Sequence, residues 1–201
     1  MWWKGCFRDK EKFPFLMKEQ LSLTELESHV QNLTGEEVTT EKFLENLKML
    51  PDVKANEDLD TDNGASAIKA VEEIPKRLGL QEKIIISIPD VRSPDDYLLK
   101  SSEITNAPIL ASFTDDDINQ PQLLIVIDKK VAIELETTNY YQGILILLAC
   151  YFAFNLAYDK QKQNLFRFLE EHVLGLKPLR KTMQYRKMEN TFFKNLKAAV
   201  K

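Results

Sequence analysis

Cysteine, glycine and histidine are scarce in this chain, and their scarcity removes several chemistries before any motif is considered. Only two cysteines, Cys6 and Cys150, occur in 201 residues. They cannot form a disulfide framework, and Cys150 lies in the most apolar run, so both read as reduced thiols of an intracellular protein, cytoplasmic or nuclear. The six glycines are scattered singly. A phosphate cradle needs glycine where backbone N–H groups approach the ligand, so neither a P-loop nor a dinucleotide fingerprint is present. His29 and His172 stand alone, and neither cysteine has a partner at CxxC distance. Structural zinc, with its four closely spaced ligands, is not expected, and no cofactor is implied.

Long apolar runs are also missing. The opening MWWKGCFRDKEKF has no apolar stretch of signal-peptide length, with charges at Lys4 and Arg8, so secretion is not expected. The sequon Asn32-Leu33-Thr34 is then chemically idle. The longest apolar segment runs from Gly143 to Phe154 and is interrupted by Asn155. A bilayer core needs about 20 apolar residues, so this segment reads as a buried helix and no membrane contact is expected.

What the chain does contain is an ordinary globular mixture, 44% hydrophobic and 29% charged, long enough to bury a core without staples. Leu16, Leu21, Leu23, Leu26, Val30 and Leu33 recur at helical spacing before Gly35, a natural C-cap. A second helix opens at Thr39-Thr40, carries Phe43, Leu44, Leu47 and Leu50, and stops at Pro51. Residues 1–51 thus form a helical N-terminal part. Residues 52–64 are acidic and read as a linker or loop. Ala65 to Leu78 is helical again through Ile68, Val71 and Ile74, with Pro75 expected to bend or break its last turn.

Residues 65–176 read as an α+β core. Lys83–Ile88 and Pro108–Phe113 are strand-like, and residues 122–127 and 131–136 flank Asp128-Lys129-Lys130 as a β-hairpin. The first arm is apolar on both faces and belongs inside a small mixed or antiparallel sheet. The second alternates Val131, Ile133 and Leu135 inward with Glu134 and Glu136 outward, which suits an edge. Thr137-Thr138-Asn139 offers caps for an apolar helix from Tyr140. A second helix from about Lys160 carries Leu165, Phe166, Phe168, Leu169 and Val173 and ends at Gly175. The two form a C-terminal αα-hairpin over residues 140–175, and its apolar first member needs the sheet as a cover.

Residues 177–201 form a basic tail or helix of net charge +7 within a chain of net charge −4, leaving −11 on the remainder. Lys177, Arg180, Lys181, Arg186 and Lys187 are the candidate nucleic-acid contacts. The competing reading is a docked helix whose apolar face is Met188, Phe192, Phe193 and Leu196 and whose wet face is basic. His172, at a helix C-terminus beside Glu170 and Glu171, reads as a stabilising surface residue. Asp95-Asp96 and Asp115-Asp116-Asp117 lack calcium-loop spacing and read as solvated loops. Pro89-Asp90 and Pro94-Asp95, ahead of Asp128-Lys129-Lys130, loosely match a PD-(D/E)xK nuclease, in which paired carboxylates hold a divalent ion and Lys130 orients water. The second half of that motif falls in the expected turn rather than in a core strand, so no enzyme is expected. The positions of Asp90, Asp95, Asp128, Lys130 and Glu134 in space decide the matter.

Phe13-Pro14-Phe15-Leu16, Leu33-Thr34-Gly35, Tyr151-Phe152-Ala153-Phe154 and Phe168-Leu169-Glu170-Glu171 occur in an order, over roughly residues 13 to 178, that resembles the C-terminal region of sterile alpha motif domain-containing protein 3-like proteins. These are multicopy proteins of fishes and invertebrates. The resemblance implies a family of unknown function associated with mobile elements, and it carries no catalytic residues. It also implies a shortened copy, since no sterile alpha motif precedes these segments. A noncatalytic intracellular protein-interaction or regulatory domain with a protein partner is the leading expectation, with nucleic-acid binding through the tail as the alternative.

Overall fold

The computed structural model describes residues 19–50, 64–89, 94–101, 104–113, 121–177 and 180–199. The acidic segment 52–63, Cys6, Asp90 and Asp115 to Asp117 lie outside these. The helices are α1 (Glu19–Thr34), α2 (Thr40–Met49), α3 (Gly64–Arg77), α4 (Pro94–Lys100), α5 (Tyr140–Ala153), α6 (Gln163–His172) and α7 (Met183–Ala199). The strands are β1 (Ile85–Ile88), β2 (Ile109–Phe113), β3 (Gln122–Ile127) and β4 (Lys130–Glu134).

The helix ends follow the expected local chemistry. The Thr39 hydroxyl accepts a bond from the Lys42 amide at the start of α2, and the Asn139 side chain accepts from the Tyr141 and Gln142 amides at the start of α5. Gly35 and Gly175 both adopt positive φ, 73° and 74°, as residues that end helices without a Cβ penalty do. Asn155 performs the same task for α5. At φ 48° it lets the Leu156 amide reach back to the Tyr151 carbonyl at 2.8 Å, the bond of a Schellman-type end. Pro75 stands in the last turn of α3 and does not break it, because α3 continues to Arg77.

The sheet is mixed, in the order β1-β2-β3-β4. β1 runs parallel to β2, with Ile85 opposite Leu110, while β2–β3 and β3–β4 are antiparallel. β3 is therefore interior and β4 an edge, as the patterns of their residues imply. Two details depart from the sequence reading. The hairpin turn is only Asp128-Lys129, both at positive φ (53° and 62°), and Lys130 already pairs with Ile127 in β4. A two-residue turn of that hand matches the twist of its strands. It is held by the Asp128 amide on the Asn106 carbonyl (3.1 Å) and by Lys129 Nζ on the Ser101 carbonyl (3.0 Å). The second departure is a bulge. Val126 faces Val131 while its neighbour Ile125 faces Ile133, so Ala132 is an extra residue on β4. Ile133 and Leu135 stay on the main core face, but Val131 packs on the opposite one, which corrects the expected inward row of Val131, Ile133 and Leu135.

A third feature escaped the sequence reading altogether. Asp95 does not lie in an acidic loop but in α4, which opens at Pro94, a residue pre-set for a first helical turn. Leu98 of α4 joins Ile88, Ile104, Ile109, Ala111, Leu124 and Val126 in a small core on one sheet face. The other face carries the main core, a single cluster running from Leu23 in α1 to Phe192 in α7. At its centre α5 is buried on all sides from Ile144 to Tyr151. The sheet covers one side of α5, α1 flanks most of its length, and α2 and α3 add to the cover. α6 meets it near the turn between them, where the Tyr151 and Phe166 rings lie 4.9 Å apart. Tyr140 ties the start of α5 to β2 through a 3.1 Å bond with the Ser112 hydroxyl. Cys150 is fully buried, and burial pushes its thiol up to about 12. Leu33, by contrast, is 63% exposed, so the apolar stripe of α1 runs out before the helix does.

Candidate functional site

Polar chemistry concentrates where α6 hands over to α7. The stripe Leu165, Phe166, Phe168, Leu169 and Val173 is wholly buried, which turns Glu171 and His172, in the last turn of α6, toward its flank. Thr182 then caps α7 by accepting from the Tyr185 amide at 3.1 Å. Tyr185, Met188 and Phe192 are buried, so α7 docks by its apolar side, while Phe193 remains 37% exposed.

This docking brings Lys181 between two carboxylates. Its ammonium is 2.5 Å from Glu171 Oε1 and 2.8 and 3.0 Å from the two oxygens of Glu189. Tyr185 Oη donates to Glu171 Oε2 at 2.8 Å, and His172 Nε2 lies 3.1 Å from Glu189 Oε1. The His172 ring also rests against Phe168 (4.3 Å) and Phe193 (5.2 Å). His172 is therefore a half-buried bridge between helices rather than the surface residue that its place at a helix end suggests. Burial alone would raise the Glu171 carboxyl, yet hydrogen bonds from Lys181 and Tyr185 outweigh it and hold the group below its ordinary range. Lys181 is held above its ordinary value by the same pairing, against the opposing effect of burial. Tyr185 is pushed up by burial and by its bond to Glu171.

Glu171, His172 and Glu189 place their ligand atoms within 4.8 Å of one another, a donor set suited in principle to a divalent cation. The Lys181 ammonium lies between the two carboxylates and bridges them, so the arrangement acts as a latch between α6 and α7. Sequence reasoning missed it because Glu171, Lys181 and Glu189 are 8 to 18 positions apart, on α6, in the linker and on α7. A lysine followed eight residues later by the tail's lone glutamate was the only local hint.

Lys181→Met should destabilise the protein by about 2 kcal/mol, since two half-buried carboxylates would lose their shared partner. The pH profile gives the sign. Because the folded Glu171 carboxyl is held below the ordinary value of 4.5, this stabilisation is complete above that pH and is lost as pH falls through the folded value. The difference between wild type and Lys181→Met in urea unfolding should therefore shrink under acid. A gap as large at pH 3 as at pH 7 would contradict the latch.

A second buried polar contact lies nearby, where Tyr158 Oη donates to Glu170 at 2.7 Å and the Tyr158 ring stacks on Phe166 (4.9 Å). Burial raises the Glu170 carboxyl, against the opposing effect of the tyrosine bond.

The nuclease candidates do not assemble among the described residues. Asp128 is exposed at the turn, Lys130 is exposed at the start of β4, and Glu134 is exposed at its far end opposite Leu124. At about 3.3 Å per residue, Lys130 and Glu134 stand roughly 13 Å apart along β4, and Asp128 lies beyond Lys130 in the turn. The side chain of Asp95 is among those not described. Of the candidate nucleic-acid contacts, Lys177, Arg180, Arg186 and Lys187 are exposed, whereas Lys181 is committed to the latch. Arg186 and Lys187 join Met183, Asn190, Thr191 and Lys194 around a shallow depression of about 460 Å³ on the outward side of α7.

The fold and this junction define an α+β domain with a four-stranded mixed sheet, a helical N-terminal part and a latched C-terminal helix. No helix among the described residues is long and apolar enough to cross a membrane. No family model, curated protein or solved structure matches the chain.

Proposed function

We propose that the protein is a noncatalytic intracellular protein-interaction domain whose contact surface is the outward side of α7. The observation that carries this reading is fixed presentation. Tyr185, Met188 and Phe192 anchor the inner side of the helix, Lys181 just ahead of it ties Glu189 to Glu171 of α6, and Arg186, Lys187 and Lys194 line the opposite side. A cationic surface already ordered by its own core spares a partner the entropy of arranging it.

The test is site-specific photo-crosslinking from position 190 in cells. A protein partner captured by the wild type should be lost from Arg186→Glu/Lys187→Glu/Lys194→Glu, with the fold checked by circular dichroism. Retention of that partner would refute the surface. Turnover of nucleic acid or nucleotide that disappears in Asp128→Ala or Lys130→Ala would replace the reading with an enzymatic one.

Nucleic-acid binding is the second reading, supported by the exposure of Lys177, Arg180, Arg186 and Lys187. Four phosphate contacts would give a slope of about −3.6 in log affinity against log salt. Deleting the tail would not test this cleanly, because Tyr185, Met188 and Phe192 belong to the main core. Substitution of the four exposed cations by glutamine is the better experiment, and unchanged retention on DNA and RNA columns would end the idea.

A further inference from the structure

We propose that the outward side of α7 receives an acidic amphipathic helix from its partner. The proposal rests on the interaction reading above and names the chemistry of the partner. Met183, Asn190 and Lys194 fall at intervals of seven and four, so at about 100° per residue they share one line down the helix. Lys187 lies close beside that line on one flank and Arg186 farther out on the other. The apolar member of this line, Met183, is 89% exposed. Methionine at an open surface adapts its shape to apolar partners, and here it stands one turn from Arg186 and Lys187. The Thr191 hydroxyl is already committed to the Lys187 carbonyl at 2.9 Å, so the side offers an apolar contact and three cations.

Spacing and charge then select the occupant. Lys187 and Lys194 are seven residues apart, about 10 Å along the axis, which matches carboxylates two turns apart on an opposing helix. From Met183 to Lys194 the surface is about 16 Å long, the length of a helix of three turns. A nucleic-acid duplex bears a charge every ~1.7 Å and presents phosphates, not an apolar face, to Met183. A single helix about 10 Å across meets the cationic side alone.

The experiment uses the full chain and fluorescence anisotropy at physiological salt, with four labelled probes. These are a twelve-residue amphipathic peptide with glutamates at i and i+7 around a leucine, a scrambled peptide of equal charge, polyglutamate and a twelve-base-pair DNA duplex. The amphipathic peptide should bind at least tenfold tighter than any other probe, and both Met183→Glu and Arg186→Glu/Lys194→Glu should weaken it at least tenfold. Equal affinity for the scrambled peptide, or no effect of Met183→Glu, overturns the helix while leaving the cationic surface standing. Tighter binding of the duplex overturns it in favour of nucleic acid. Absence of binding to all four probes, together with a crosslinked partner that survives the triple charge reversal, removes the α7 surface itself.

Discussion

Phe168→Ala should lower the unfolding free energy by about 4 kcal/mol, and the melting temperature by about 12 °C in a chain of this size. Phe168 is fully buried. Its ring touches His172 at 4.3 Å and Phe192 at 4.8 Å, so it joins the core of α6 to the docked side of α7. Truncation leaves a cavity the size of a phenyl ring between two helices that the latch still holds together, which limits collapse and keeps the cost high. Amide exchange should accelerate in α7 more than in α5, because α5 retains the sheet and α1 as cover. A loss below about 1.5 kcal/mol, or equal acceleration in both helices, would show that α7 is held elsewhere.

Gly143→Val should cost about 3 kcal/mol through overpacking. A Cβ placed on Gly143 would meet both terminal methyl carbons of Leu110 and Cδ1 of Leu123 at 3.2 Å. This is where α5 rests directly on β2 and β3. Gly143→Ala is the control. Its helix-propensity gain of about 1 kcal/mol opposes contacts that flexible leucine ends can relieve by a few tenths of an ångström, so stability should change little. A valine variant as stable as the alanine one would mean that α5 does not approach the sheet as closely as described.

Much of the fold was legible residue by residue. Thr39, Asn139, Gly35 and Gly175 marked helix ends because capping is a contact within one turn. The hairpin of β3 and β4 was legible because alternation has a period of two, and the apolar stripe of α6 because its period is 3.6. Where the reading slipped, the deciding contact was distant in sequence or the signal ambiguous. Asp95 looked like loop because Pro94 both breaks and starts helices. Val131 was assigned to the wrong face because the bulge at Ala132 belongs to the pairing with β3, not to β4 alone.

The candidate site was less legible than the fold. Charge in the tail was plain, but which cations are free was not. Lys181 and Arg186 are equivalent as sequence; in space one bridges Glu171 and Glu189 and the other faces outward. The docking of Tyr185 and Phe192 sets the rotation of α7 and turns Arg186 outward, whereas Lys181 lies in the linker ahead of that helix, beside Glu171.

By itself the sequence determined the α+β class, the main helices and the hairpin, and an α5 too short to span a bilayer. Each of these follows from local spacing, capping and turn chemistry, which act over a few residues. Only the tertiary structure decided that α1 flanks α5, that β1 joins the sheet in parallel, that α4 covers the second face, and that Lys181 is spent on a latch while Arg186, Lys187 and Lys194 remain outward. These are choices among surfaces of similar polarity, and burial together with charge pairing selects between them once the chain has closed on itself.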